Sequence, residues 1–119
     1  MKAIIEIGRG DAIFDAAAEQ IAAAHGEQMV DFRLQFESAR TLFAEVTPER
    51  LELLELLRRI GPSPLAALAD ALPTPRPSRD IAADLARLEM LGLIERGDDD
   101  LLSVPFSAVE IILPLPKVA

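Results

Sequence analysis

The 119-residue chain has no cysteine, no tryptophan and no tyrosine, and its five aromatic residues are all Phe. Without cysteine there is no disulfide framework and no thiolate metal site, which suits a reducing compartment. With so few rings, the core has to be built from Leu, Ile, Val and Ala. Half of the residues are hydrophobic, enough for a real core in a chain of single-domain size. No apolar run approaches the ~20 residues that a helix needs to span a bilayer. The opening Met1-Lys2-Ala3-Ile4-Ile5-Glu6 meets an acid too early for a signal peptide. The expectation is a soluble, cytoplasmic chain with no membrane partner. His25 is the single histidine and stands at the end of an expected helix, with no neighbours that would make it a metal ligand or a catalytic base.

Positive charge is scarce as well. Twelve basic against twenty acidic residues leave a net charge of −8, so the molecule as a whole repels phosphate and cannot coat nucleic acid non-specifically. The one long stretch with a positive balance runs from Arg58 to Arg87, where Arg58, Arg59, Arg76, Arg79 and Arg87 outnumber Asp70, Asp80 and Asp84. Any phosphate-facing surface is therefore local.

Residues 1–46 read as a β-α-β-α preface. Ala3–Ile7 is a β-rich run closed by Gly8-Arg9-Gly10, a plain turn that lacks the further glycines and the Lys of a phosphate loop. Asp11 caps a helix to His25, with Gly26 as its stop. Val30, Phe32, Leu34 and Phe36 alternate with Asp31, Arg33, Gln35 and Glu37, the period of a strand with one buried face. A short helical turn, Ala39–Glu45, follows. The preface is too small to bury its own apolar faces, so it must pack on the rest of the chain or on a second copy.

From residue 47 onward the signals sharpen. Thr47-Pro48-Glu49 combines an N-cap, a first-turn Pro and an acid at the positive end of a helix dipole. Leu53, Leu56, Leu57 and Ile60 form the apolar stripe, Gly61-Pro62 ends the helix, and Glu49, Glu52 and Glu55 mark its wet edge. Ser63-Pro64 repeats the cap chemistry ahead of Leu65, Leu68, Ala69 and Leu72. The turn Pro73-Thr74-Pro75-Arg76-Pro77 leads to a third helix from about Ser78, with the stripe Ile81, Leu85, Leu88 and Leu91 and with Gly92 where a left-handed residue is expected. Leu93–Arg96 and Leu101–Val104 then flank Gly97-Asp98-Asp99-Asp100 as a hairpin, and Ala108–Leu113 is a last strand. Its expected partner is Ala3–Ile7, within one chain or across a dimer. Three helices followed by a hairpin is the order of a winged helix-turn-helix, so the expected fold class is α+β, with residues 47–119 as the winged helix-turn-helix domain.

Thr47-Pro48-Glu49-Arg50-Leu51-Glu52-Leu53-Leu54, Leu65-Ala66-Ala67-Leu68-Ala69, and Asp84-Leu85-Ala86-Arg87-Leu88-Glu89-Met90-Leu91-Gly92-Leu93-Ile94 together resemble a family of small prokaryotic winged-helix regulators of MarR-like domain type. Val104-Pro105-Phe106 with Val109-Glu110-Ile111 is similar to that family's ending, and its members also carry a short αβ preface leading into the Thr-Pro helix, so the resemblance covers nearly the whole chain. It implies transcriptional regulation, in some members with an antitoxin role.

In such a fold the third helix presents its N-terminal half to a major groove about 12 Å wide. Ala82 and Ala83 stand where the family commonly has polar or basic residues, and they can offer only methyl contacts to thymine. Hydrogen-bond readout falls to Arg76, Ser78 and Arg79 at the helix entrance and to Arg87 further along. The competing reading is that these arginines are surface charges paired with Asp80 and Asp84, which is worth only ~0–1 kcal/mol per exposed pair. Asp98-Asp99-Asp100 would meet phosphate with like charge; it reads as a solvated turn before a divalent-cation site.

No nucleophile–base pair, metal triad or cofactor fingerprint is legible, so the expectation is a non-enzyme without metal or cofactor. Two functions remain. One is a homodimeric regulator of double-stranded DNA, including an autoregulating antitoxin-type repressor. The other is a winged-helix interaction module with a basic, toxin-like protein partner and no DNA binding.

Overall fold

The computed structural model describes residues 1–8 and 31–116. The helix expected between Asp11 and His25 falls outside them. The described residues form an α+β chain that divides into two compact units: residues 1–45 together with 106–119, and Val46–Pro105. Among the described residues no helix is long and apolar enough to cross a membrane.

The first unit is built on a three-stranded parallel sheet. Strand β1 (Ala3–Ile7) lies at its centre, between β2 (Phe32–Phe36) and β5 (Val109–Ile112). Ala3 pairs with Phe32 on one side and Val109 on the other, and Ile5 with Leu34 and Ile111. The expected partnership of first and last strands is thus made within one chain. Ala3, Ile4 and Ile5 are all buried. Successive strand residues point to opposite faces, so three in a row out of water means that β1 is covered on both, the usual state of a parallel strand. Helix α1 (Ala39–Glu45) packs against β1 and β2 through the fully buried Leu42. The Phe32 and Phe106 rings meet at 5.5 Å with a 34° tilt. Edge strand β2 is only partly buried, with Phe36 inside and Phe32 and Leu34 half-exposed.

The second unit packs three helices against one another: α2 (Pro48–Ile60), α3 (Leu65–Ala71) and α4 (Ser78–Met90). Its core takes Leu53, Leu54, Leu56 and Leu57 from α2, Leu68 and Leu72 from the second helix and its exit, and Ile81, Leu85 and Leu88 from α4. Thr47 caps α2 as expected, its hydroxyl accepting the Arg50 N–H at 3.3 Å. Gly61 ends that helix at φ 82°, and Gly92 follows α4 at φ 85°, conformations that a residue with a Cβ resists. Leu91 is half-buried rather than a full member of the α4 stripe, because the chain has already turned at Gly92.

Ile60, expected in the buried stripe of α2, is instead 40% exposed at the helix end, and the expected cap of α3 is corrected as well. Ser63 does not cap α3; Pro64 occupies that position with no side-chain hydrogen bond. Ser63 instead turns its hydroxyl back to the Gly61 carbonyl at 2.8 Å, and its backbone pairs with Leu102 in both directions. That pairing holds Ser63 extended and ties the α2–α3 turn to the hairpin of β3 (Glu95–Arg96) and β4 (Leu102–Ser103). Arg58 donates to the Val104 carbonyl at 3.0 Å and fastens α2 to the same hairpin.

Candidate nucleic-acid interface

Helix α4 is amphipathic by position. Residues 81, 85 and 88 face the core, which at 3.6 residues per turn sets 79, 83, 86 and 90 on the opposite side. That outer side carries Arg79, Ala83, Ala86 and Met90, all exposed, with Met90 at 74%. Ser78 is exposed beside Arg79 at the helix start, and Ala82 is half-buried. Among the described residues the Ser78 hydroxyl and the Arg79 guanidinium have no partner. Between Met90 at one end and a hydroxyl and a cation at the N-terminal end, this face carries only the small Ala83 and Ala86.

Arg76 is differently placed. Its guanidinium reaches across the first turn of α4 to Asp84 Oδ2 at 2.5 Å, while Arg50 of α2 donates its Nε–H to Asp84 Oδ1 at 3.0 Å. All three side chains are largely sheltered, at 22%, 18% and 16% exposure for Arg76, Arg50 and Asp84. Burial alone would push the Asp84 carboxyl upward, but hydrogen bonds from Arg76 and Arg50, with their charges, outweigh it and hold the carboxyl below its ordinary value. The Asp84 bond in turn raises the Arg76 guanidinium further. An open cavity of about 340 Å³ lies over this group, with Thr47, Glu49 and Asp80 on its walls. Three carboxylates against two guanidinium groups give it a negative balance, so phosphate has no electrostatic reason to enter it.

Arg87 is half-buried one turn beyond Ala83, with its Nη1 at 3.0 Å from the Met90 sulfur. The four candidates therefore separate. Ser78 and Arg79 stand together at the exposed helix start, Arg76 is bound to Asp84 beneath them, and Arg87 lies on the flank. Arg50 was not singled out in the sequence. The legible signal was Asp84 itself, an acid three residues after buried Ile81 and directly before buried Leu85, which has to find cations.

The hairpin brings no positive charge forward. Arg96 is bound by Glu89 at 3.3 Å and Asp100 at 2.6 Å. Asp99 accepts the Leu101 N–H at 3.1 Å and Asp100 pairs with Arg96, so two of the three tip carboxylates are engaged within the hairpin. Among the described residues no group of three His, Cys, Asp or Glu side chains is placed to hold a metal ion.

The chain belongs to the HVO_A0114 family, whose family model matches residues 45–111, more than half of its length. The match covers α2, α3, α4, the hairpin and most of β5. No curated protein and no solved structure matches the chain.

Proposed function

We propose that this member of the HVO_A0114 family is a DNA-binding transcriptional regulator with a winged helix-turn-helix of MarR-like type. The observation that carries the reading is the outer face of α4. It is a helix seated on two others, with its N-terminal half open, its small residues permitting close approach and Ser78 and Arg79 at the tip. A helix held this way can enter a major groove, where Arg79 can reach guanine or phosphate and Ala82 and Ala83 can lie against thymine methyl groups. Arg87 reaches the flanking backbone. Arg76, committed to Asp84, serves as an anchor. One helix offers few contacts, so the regulator works as a homodimer on two half-sites, and binding upstream of its own gene is the antitoxin-type arrangement.

Titration of the chain against the duplex upstream of its own gene and a scrambled duplex, at low salt, tests this. Preference for the first duplex, lost in Arg79→Ala with Arg87→Ala, is expected; equal or absent binding contradicts it. A second reading is favoured by the hairpin, whose Arg96 is internally paired and whose tip is Asp98-Asp99-Asp100. On that reading the module binds a basic, toxin-like protein instead of DNA. Stoichiometric co-purification of such a partner by a chain that does not bind DNA would select it.

A further inference from the structure

We infer that Asp84 is a positioning residue for the DNA-reading end of α4, acting through Arg76 in place of a helix cap. This inference rests on the reading of α4 as the recognition helix and names what keeps its tip in shape.

The start of α4 lacks what the start of α2 has. Thr47 closes α2 with a side-chain hydrogen bond, whereas the residue before α4 is Pro77, which makes none. The first N–H groups of a helix have no partner inside it, and an uncapped first turn frays. Here that turn holds Ser78 and Arg79, the residues asked to meet DNA. The Pro77 carbonyl accepts from Asp80 and Ile81 at 3.0 and 3.2 Å, so the turn does form. What spans it from outside is the Arg76–Asp84 bond, which joins the residue before Pro77 to the second turn of the helix. The same carboxylate takes the Arg50 Nε–H from α2. Asp84 thus fixes the approach loop to α4 and α4 to α2 with its two oxygens.

Prolines at 73, 75 and 77 limit the loop's freedom but give it no side-chain acceptor with which to cap the helix. Arg76 is the one residue of Pro73–Pro77 with a charged side chain, and it is spent on this bond. Its role is to hold the shape of the surface next to it.

The test uses the full chain and two variants, Asp84→Asn and Arg76→Gln, so that misfolding of one does not end it. Each is titrated with the upstream duplex and a scrambled duplex over a salt series, and amide hydrogen exchange along α4 is followed. The expected result is a loss of about tenfold in affinity for the upstream duplex with either variant. The double variant is no worse than Asp84→Asn alone, because that substitution already removes the charge partner of Arg76. Affinity for the scrambled duplex stays within about twofold and the salt slope is unchanged, since no phosphate contact is lost. Exchange speeds up at residues 79–82 and not at 85–88. Four results would overturn the inference. Tighter binding with a steeper salt slope in Asp84→Asn would mean that Asp84 restrains a phosphate-binding arginine. Equal losses on both duplexes with faster exchange along the whole helix would mean a general structural role. Unchanged binding and exchange would remove the role altogether while leaving the regulatory reading in place. A parent chain that binds neither duplex overturns both.

Discussion

Arg50 and Asp84 are 34 residues apart in sequence, yet the Arg50 Nε–H donates to Asp84 Oδ1 at 3.0 Å and joins the first turn of α2 to the middle of α4. With Arg76 on the other oxygen, the carboxylate is shared between two guanidinium groups and mostly out of water. Removing one partner of a sheltered charge-assisted bond costs roughly 1–3 kcal/mol. This contact therefore belongs with the structural core of the second unit rather than with its wet surface.

The first prediction concerns pH. The Asp84 carboxyl lies below its ordinary value of 3.8, because the two arginines outweigh burial. A group depressed in this way contributes stability that is fully present above the unfolded value and is lost as pH falls through the lower folded one. The melting temperature of the parent chain should exceed that of Asp84→Asn at neutral pH, and the gap should close as pH drops below about 4. Thermal denaturation of the pair across a pH series checks this; a gap independent of pH would mean that the charge of Asp84 is not what matters.

The second concerns the cap of α2. Thr47→Ala removes the hydroxyl that accepts the Arg50 N–H and should lower stability by about 1 kcal/mol, with Thr47→Ser recovering most of it. Urea denaturation of the three chains distinguishes a lost hydrogen bond from a lost methyl group.

The third concerns Gly92. At φ 85° an added Cβ meets the following carbonyl, so Gly92→Ala should destabilise the chain by about 1–2 kcal/mol, although Ala is the better helix former. An unchanged urea midpoint would contradict the left-handed helix end.

The fourth concerns the core. Leu88 is fully buried in the face of α4 opposite Arg79. Leu88→Ala should cost about 2–5 kcal/mol, while the exposed Met90→Ala, two residues on, should change stability by less than about 0.5 kcal/mol. Equal effects would mean that the helix face is assigned the wrong way round.

The helices were legible in the sequence because their apolar residues recur at helical spacing, and at α2 cap, period and stop all agree. Thr47-Pro48 opens α2, leucines at helical spacing bury it, and Gly61 and Gly92 fall where left-handed residues end helices. Ser63 misled for a physical reason. A Ser before a Pro reads locally as a cap, but its backbone is claimed by Leu102, a partner far along the chain that no local pattern reveals. The same holds for the site. Arg76, Ser78, Arg79 and Arg87 were legible as the cations and hydroxyl around α4, and pairing with Asp84 could be weighed. That Asp84 would also take Arg50, and that Arg76 and not Arg79 would be the arginine it holds, depends on how α2 crosses α4. Sequence spacing does not encode that.

On the proposed function, the N-terminal half of α4 is the surface that meets DNA. Titration of the isotope-labelled chain with the duplex upstream of its own gene, followed by amide and arginine side-chain NMR shifts, tests it most directly. The largest changes are expected on residues 78–83 and on the Arg79 guanidinium, with Asp98, Asp99 and Asp100 undisturbed. Shifts confined to the hairpin or to the sheet of the first unit, or none at all, would contradict it.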